Sequence, residues 1–381
     1  MGLMGLDEKR KKIDELDQEL VRLITERLEV ATEIGFFKKE KGMKILDRSR
    51  EEEVIQKNLG RVTNETFAPY VETLLEKLMS VSRDAQSDIV IENRTPISAI
   101  IKMPVISEKV SEPVVAYGGV KGSFGEQALI QYFGEVEERS YKTFGEVIDA
   151  VVNGESDYGV LPIENTSTGG ILEVERLLER DSVYIVGETI VQVAHCLLGL
   201  GKIEDIRTVY SHVQGFEQSR EFLREYDFKE IPYFNTAISA EFVARSGDVS
   251  LGAIASKRAA EVYGLKILKE NINYNLENYT RFVIIKKTAE IEKDYDKISI
   301  QVVVEDSEGS LLRVIQSITE NRLNMVKIAS RPILGKPFEY IFSIDFNGNL
   351  GEKRVKKALN EISENSILMN FKGNYKEVKG K

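Results

Sequence analysis

Apolar positions change rhythm three times along this chain. From Asp7 to about Lys41 there is no proline and one glycine, Gly35, while Ile13, Leu16, Leu20, Leu23, Ile24, Ala31 and Ile34 recur at helical spacing. The spacing predicts one helix of about 35 residues, roughly 50 Å long. Its length far exceeds the usual three turns, so its apolar stripe needs a partner along the whole axis. Asp47 is a natural N-cap for a second helix. A third is predicted from about Glu65 to Gln86, with Phe67, Val71, Leu74, Leu75, Leu78 and Val81 on its buried side. Residues 1–88 therefore read as an all-α domain.

The next stretch, SDIVIENRTPISAIIKMPVISEKVSEP, carries three prolines and keeps no period, so residues 89–113 read as a linker. Over residues 114–287 strand-like runs alternate with helical ones, which predicts an α/β domain with a largely parallel sheet. Four strands end in small or polar residues before a helix: Gly119 to Ser123, Asn165 to Thr168, His212 to Gly215, and Ser256. The second case, GVLPIENTSTGG, puts a polar cluster between a strand ending near Ile163 and a helix expected over 171–180. In α/β sheets ligands bind at such junctions, although a capped loop explains the same residues equally well. Several helix amino termini aimed at one cleft would suit a small anion. Residues 297–381 run strand, helix, strand, strand, helix, strand, the order of a ferredoxin-like α+β unit.

Composition narrows the chemistry. A single cysteine, Cys196, leaves no intrachain disulfide and no thiolate cluster, and the start MGLMGLDEKRKK lacks the apolar region of a signal peptide; a cytoplasmic protein is expected. No apolar window is long enough for a membrane span. The net charge of -10 argues against nucleic acid as a partner, and an anionic substrate would need local arginines and helix ends. With only His195 and His212 present, a histidine-rich metal site is not expected, nor is any cofactor. Cys196 and His195 read as buried strand residues, and His212 as a structural loop residue.

The first helix carries Arg10, Arg27 and Lys38. Arg27 and Lys38 lie three turns apart on nearly one face, about 16 Å along the axis, so their side chains could bracket a small molecule. Arg10 lies about 25 Å from Arg27 and would have to reach the same ligand from a second copy. Asp47, Arg50 and Glu51 follow in LDRSREE, and Ser82 and Gln86 share a face of the third helix. Singly, such charges are usually just solvated. Together they resemble the all-helical chorismate mutase family, whose pattern is Arg, then Arg and Lys on the long helix, D-x-x-R-E after it and S-x-x-x-Q on the last. The resemblance covers nearly all of residues 6–88 and implies a long-helix intertwined dimer. It also implies that Arg27 and a partner's Arg10 hold the carboxylates of chorismate, with Arg50 and Ser82 assisting. Lys38 and Gln86 would hydrogen-bond the ether oxygen, and Asp47 and Glu51 would fix the ring hydroxyl.

The middle region resembles the prephenate dehydratase family through DYGVLPIENTSTGG, KGSFGEQA, YSHVQGFEQ and NYTRFVII, four motifs in family order. A periplasmic-binding-like α/β fold is implied. Thr280 would act at the leaving hydroxyl with Arg281 and Phe282 beside it, while Ser123, Asn165, Thr166 and Gln214 would contact prephenate and Glu164 would shape the loop. The chain departs from the family at Val213 and near Val120, where proline is usual. The last unit resembles the ACT regulatory domain, in which phenylalanine binds through two motifs. Gly309, Ser310, Leu311 and Leu312 match the first; Ala329, Ser330, Arg331 and Pro332 match the second, except that Ala329 replaces a carboxylate. The implied whole is a homodimer or tetramer that turns chorismate into prephenate and phenylpyruvate under L-phenylalanine control. A dehydratase preferring arogenate, one with a weak mutase, and a noncatalytic amino-acid sensor remain alternative readings of these residues.

Overall fold

The computed structural model describes residues 5–41, 43, 48–91, 108–179, 183–333 and 339–378, the side chains of 39, 40, 48, 80 and 83–91 excepted. The chain divides into two units, Met1–Ala99 and Ile100–Lys381. The first holds α1 (Leu6–Glu40), α2 (Arg48–Leu59), a 3-10 turn (Glu65–Phe67) and α3 (Ala68–Ile91). Asn64 starts that turn, its side-chain oxygen accepting the Thr66 N–H at 3.1 Å. On α1, Ala31 and Gly35 lie one turn apart and are buried, and their small size lets α3 approach. Most of the rest of the predicted stripe stays bare: Ile24 is half-buried, but Ile13, Leu16, Leu20, Leu23 and Ile34 are exposed, Leu16 at 57%. On α3 the expected buried face is corrected in part: Phe67, in the turn before it, and Leu74 are exposed, Val71, Leu75, Leu78 and Val81 are half-buried, and among the described side chains Met79 and Ser82 are the buried ones. Within one chain α3 meets α1 near Arg27 to Gly35, and that short contact, rather than the full apolar period, decides which side chains leave water.

The second unit begins with β1 (Val114–Gly118), α4 (Phe124–Phe133), β2 (Glu137–Tyr141), α5 (Phe144–Asn153), β3 (Tyr158–Asn165), β4 (Gly169–Gly170), α6 (Leu172–Leu177) and β5 (Tyr184–Gln192). A second lobe follows with β6 (Cys196–Gly199), β7 (Thr208–Ser211), α7 (Val213–Gln218), α8 (Arg220–Leu223), β8 (Lys229–Pro232), α9 (Thr236–Ser246), β9 (Leu251–Ala255), α10 (Lys257–Tyr263) and β10 (Lys266–Lys269). The chain then returns to the first lobe as β11 (Tyr279–Lys286). It ends with β12 (Lys297–Val303), α11 (Ser310–Glu320), β13 (Met325–Pro332), β14 (Tyr340–Asn347), α12 (Lys353–Glu364) and β15 (Leu368–Tyr375).

Three sheets result, ordered β2-β1-β3-β11-β5 with β4 on β3, β10-β6-β9-β7-β8, and β13-β14-β12-β15. The expected largely parallel sheet is instead two mixed sheets. β11 runs antiparallel to both β3 and β5 because it arrives from the second lobe. In that lobe β6 is likewise antiparallel to β9, while β7 is parallel to β8 and β9. Asn273 ties the two crossings together: its Oδ1 accepts the His195 N–H at 3.1 Å and its amide donates to the Val193 carbonyl at 3.0 Å. The last sheet lies against β5 so closely that a side chain at Gly373 would strike the Ile185 backbone. Among the described residues no helix is long and apolar enough to cross a membrane.

A second lock joins the lobes where Ser256 caps α10. Its hydroxyl accepts the Ala259 N–H at 3.1 Å and donates to the Gly122 carbonyl at 2.8 Å. Gly122 adopts φ +83°, and a Cβ there would lie 2.8 Å from Ala259 Cα, so the contact requires glycine. Ser256→Ala removes a cap and strands a buried carbonyl. Denaturant unfolding should show it about 1–3 kcal/mol less stable.

Candidate active sites

In the helical unit the structure brings Arg27 and Ser82 together. The Arg27 guanidinium donates to Ser82 Oγ, reaches the Leu78 carbonyl at 3.5 Å and lies 3.2 Å from Met79 Sδ. Burial pulls its pKa below the ordinary value. Among the described residues no carboxylate pairs with it, so a partly desolvated cation keeps donors for an anion. Lys38 is half-buried three turns further along α1, and Glu51 is half-buried at the start of α2. Arg50 pairs with Glu53 at 2.6 Å, and Arg10 with Asp7 at 3.5 Å, far down α1 on an exposed surface. Asp47 and the side chain of Gln86 lie outside the described residues.

The second site is built on a fault in a strand ladder. β11 pairs with β3 so that Thr280 faces Asn165 and Arg281 faces Glu164, but Phe282 faces Pro162, which leaves Ile163 as an extra residue. This is a β-bulge, and Pro162, lacking an N–H, sits beside it. Without the bulge, strict alternation would put Asn165 on the face of Leu161 and Ile163, among the core residues under α5. The extra residue changes the phase and puts Asn165 on the same side as Thr280.

Beyond β3 the polar run is not the helix amino terminus that its pattern suggested. Asn165 Oδ1 accepts the N–H groups of Ser167 (2.9 Å) and Thr168 (3.0 Å), closing a tight turn, and Gly169, at φ +82°, sends the chain back as β4 along β3. The helix that follows is short, and Ile171 gives it no side-chain cap. Because two backbone donors occupy Oδ1, the Asn165 amide nitrogen is oriented the other way. It donates to Thr280 Oγ1 at 2.9 Å, Asn278 Oδ1 at 2.8 Å and the Tyr279 carbonyl at 3.2 Å. Thr166 pins the turn to β11, accepting the Tyr279 N–H at 2.9 Å and donating to the Glu277 carbonyl at 3.1 Å. Asn165, Thr166 and Thr280 are thus brought together.

Other contacts place the lobe junction beside them. The Val193 N–H donates to the Asn278 carbonyl at 2.7 Å, and His195, two residues on, meets the Phe124 ring at 5.9 Å and bonds Gln218 at 2.8 Å. His195 and Cys196 are buried, Cys196 inside β6 and His195 just ahead of it; burial lowers the pKa of the histidine. Ser123 caps α4 by accepting the Glu126 N–H, and Gln214 is exposed at the start of α7, where its N–H donates to His212 Nδ1 at 3.3 Å. Ser123 and Gln214 therefore border the junction without a hydrogen bond to the turn among the described residues. Sequence reasoning missed Asn278 and Asn273. The signal was present in NINYNLENYT, where four asparagines in eight residues exceed what a surface loop needs.

Arg281, Glu164 and Phe282 depart from the expected contacts. Arg281 points to the opposite face of β11 from Thr280 and bonds Glu188 at 3.1 Å, Glu164 at 3.1 Å and, in the last sheet, Asp345 at 3.3 Å. Burial lowers its pKa, but Asp345, Glu188 and Glu164 together outweigh burial and hold it above the ordinary value. Glu164 also lies 3.5 Å from Lys327. Phe282 is buried in the core beneath α4. Alternation along the strand, which motif reading ignored, explains all three.

Gly309 begins α11 at φ +74°, Ser310 is buried with its hydroxyl 2.6 Å from Ser307 Oγ, and Leu312 is exposed. On β13, Ala329 is half-buried, Ser330 and Pro332 are exposed, and Arg331 is buried and pairs with Glu179.

A family model described as prephenate dehydratase matches residues 115–290, and one described as chorismate mutase type II matches residues 9–87. The bifunctional chorismate mutase/prephenate dehydratase of Aquifex aeolicus (strain VF5) is 33% identical over 378 residues, covering 97% of this chain and 97% of the relative. That of Escherichia coli (strain K12) is 31% identical over 377 residues, covering 96% and 95%. The solved prephenate dehydratase of Arthrobacter aurescens in complex with L-Phe is 26% identical, with a TM-score of 0.64, over 69% of this chain and 90% of that one. The chain belongs to the bifunctional chorismate mutase/prephenate dehydratase family.

Proposed function

We propose that the helical unit rearranges chorismate to prephenate and that the two-lobed region converts prephenate to phenylpyruvate, in a cytoplasmic enzyme of phenylalanine synthesis. The observation that carries the second step is the oriented pair of Asn165 and Thr280. With its oxygen accepting from the Asn165 amide, Thr280 keeps its own proton to donate. Dehydration needs such a donor: the ring carboxylate leaves as carbon dioxide, its electron pair enters the ring, and the ring hydroxyl departs with its own electron pair as hydroxide, the developing charge met by the donor's hydrogen bond. Threonine is too weak an acid to protonate it outright, so its contribution is a directed hydrogen bond at a shielded site. Ser123, Thr166 and Gln214 border the space prephenate would occupy.

The first step is pericyclic and needs no nucleophile, so restraint and charge complementarity are what a protein can supply. Arg27, held by Ser82, is suited to a carboxylate, and Lys38 to the ether oxygen as charge develops there. Asp47, Arg50, Glu51 and Gln86 would complete the set. The bare stripe from Ile13 to Leu23 supports pairing of α1 with a second copy, whose Arg10 would reach the Arg27 site as a homodimer or tetramer forms. For domains we propose mutase over 1–88, dehydratase over 114–287 and a ferredoxin-like ACT regulatory unit over 297–381. The β-α-β-β-α-β order and the antiparallel sheet β13-β14-β12-β15 support the last, and the L-Phe complex of the Arthrobacter relative supports phenylalanine as its effector. Gly309 to Leu312 and Ala329 to Pro332 would form that site.

Purified protein given chorismate should yield prephenate and then phenylpyruvate, followed by absorbance. Lys38→Ala should cost the mutase about 3–4 kcal/mol of transition-state stabilisation, or 100- to 1000-fold in kcat, and leave dehydration of supplied prephenate intact. Thr280→Ala should do the reverse, abolishing phenylpyruvate formation while prephenate accumulates. L-Phenylalanine titrated to millimolar concentration should lower the dehydratase rate; a flat response would remove the regulatory assignment.

A further inference from the structure

His195 stands on the crossing from β5 to β6 and touches both lobes. Its ring packs edge-on against that of Phe124, the first residue of α4, with centroids 5.9 Å apart, and its Nε2 lies 2.8 Å from Oε1 of Gln218, the last residue of α7. The backbone is fixed on either side: the N–H donates to Asn273 Oδ1 at 3.1 Å, and the carbonyl accepts the Ile272 N–H at 3.0 Å. The residue is 3% exposed, and burial holds its pKa below the ordinary value, so the ring is uncharged at neutral pH. An amide oxygen can only accept, which puts the ring proton on Nε2 and leaves Nδ1 without one. Nδ1 is buried and has no hydrogen-bond partner among the described residues. Leucine or phenylalanine would fill the same space without stranding an acceptor, so packing does not account for a histidine here. What remains is the bond from Nε2.

That bond decides which way Gln218 faces. With Oε1 held by the ring, the amide nitrogen turns away from His195, and it has no partner among the described residues. Gln218 is half-buried and lies one turn from Gln214, so the two amides share a face of α7. Its carbonyl accepts the Tyr274 N–H at 2.8 Å, and the next residue, Asn275, reaches Ser167 in the turn after β3 at 3.4 Å. Gln218 therefore stands beside the turn that carries Asn165 and Thr166, with two N–H donors to offer an anion. Arg281, on the other face of β11, cannot offer any there.

We propose that His195 is a positioning residue for dehydration: it holds the side-chain oxygen of Gln218 and so turns the Gln218 amide donors toward a carboxylate of prephenate. The inference rests on the two-lobed region being the dehydratase site, which Thr280→Ala tests separately.

In the full-length protein, His195→Leu fills the space but frees Gln218, and kcat/KM for prephenate should fall about tenfold, the scale of one misdirected hydrogen bond. His195→Gln puts an amide nitrogen where Nε2 stands and should recover most of that loss; a merely structural role gives the opposite order, because leucine suits a buried apolar site better. Gln218→Ala should fall at least as far, and adding His195→Leu to it should cost nothing more, whereas independent effects add. The mutase rate should hold in every variant. The chain has only two histidines, so ring-nitrogen NMR of the wild-type protein can assign the proton, which should sit on Nε2 of His195 at neutral pH. Wild-type kcat/KM in His195→Leu or Gln218→Ala, no recovery in His195→Gln, additive losses in the double variant, or a proton on Nδ1 would each overturn the proposal, while an inactive Thr280→Ala keeps the site assignment standing. Gln218→Ala and the NMR measurement decide the matter even where His195→Leu fails to fold. Full activity in Thr280→Ala would instead sink the site assignment and the proposal with it.

Discussion

The dehydratase region depends on the phase of one side chain, that of Asn165. Two backbone N–H groups consume its oxygen, so its nitrogen must face Thr280, Asn278 and Tyr279. The geometry requires three local facts at once: a strand that gains a residue at Ile163, a proline that forgoes a ladder bond, and a glycine that takes φ +82° to turn the chain back. None is costly in isolation. Together they put an amide where a hydroxyl must be aimed, and they do so with backbone partners whose donor character is not adjustable.

That site lies beside the junction between lobes, which is itself stitched by short polar side chains. Asn273 binds both crossings, Ser256 reaches Gly122, and His195 bridges toward Gln218 and Phe124. The two crossings run side by side there because β11 returns to the first lobe antiparallel to β5 after the second lobe is complete. The same reversal makes the sheets mixed, so the topology that violated the expected parallel sheet is also what brings Thr280 against Asn165.

The motifs were legible in the sequence because they are local: ENTST, NYTRF and the arginines of the long helix stand where spacing put them. What spacing could not reveal was facing. Arg281 and Phe282 read as neighbours of Thr280 because they adjoin it in the chain, yet in a strand adjacent residues point apart. Nor could spacing show that Glu164 faces Arg281 and Lys327, and the bulge that rephases β3 leaves no mark on a period-two pattern beyond Pro162. β5 was overlooked because no helix follows it to complete a strand–helix pair. The long helix was legible in extent to within a residue or so, while its buried face was not, since burial there depends on what covers Leu16 and Leu20.

That dependence separates the two chemistries physically. The dehydratase region carries its own enclosure: cores beneath α4 and α5 flank β11, and the terminal sheet seals the far face. The helical unit has a partly buried cation at Arg27 but leaves most of its apolar stripe exposed, with Leu16, Leu20 and Leu23 at 48–57% exposure, a free-energy cost that pairing with a second copy would remove. Desolvation already lowers the pKa of Arg27 on one side. Covering the stripe would deepen that desolvation, strengthen every contact the guanidinium makes with an anion, and bring in the charge that Arg10 cannot deliver from about 25 Å away on the same helix. Under the proposed function, association and charge complementarity would be one requirement, because the exposed apolar stripe runs along the same helix as Arg10, Arg27 and Lys38, the cations proposed to hold the substrate.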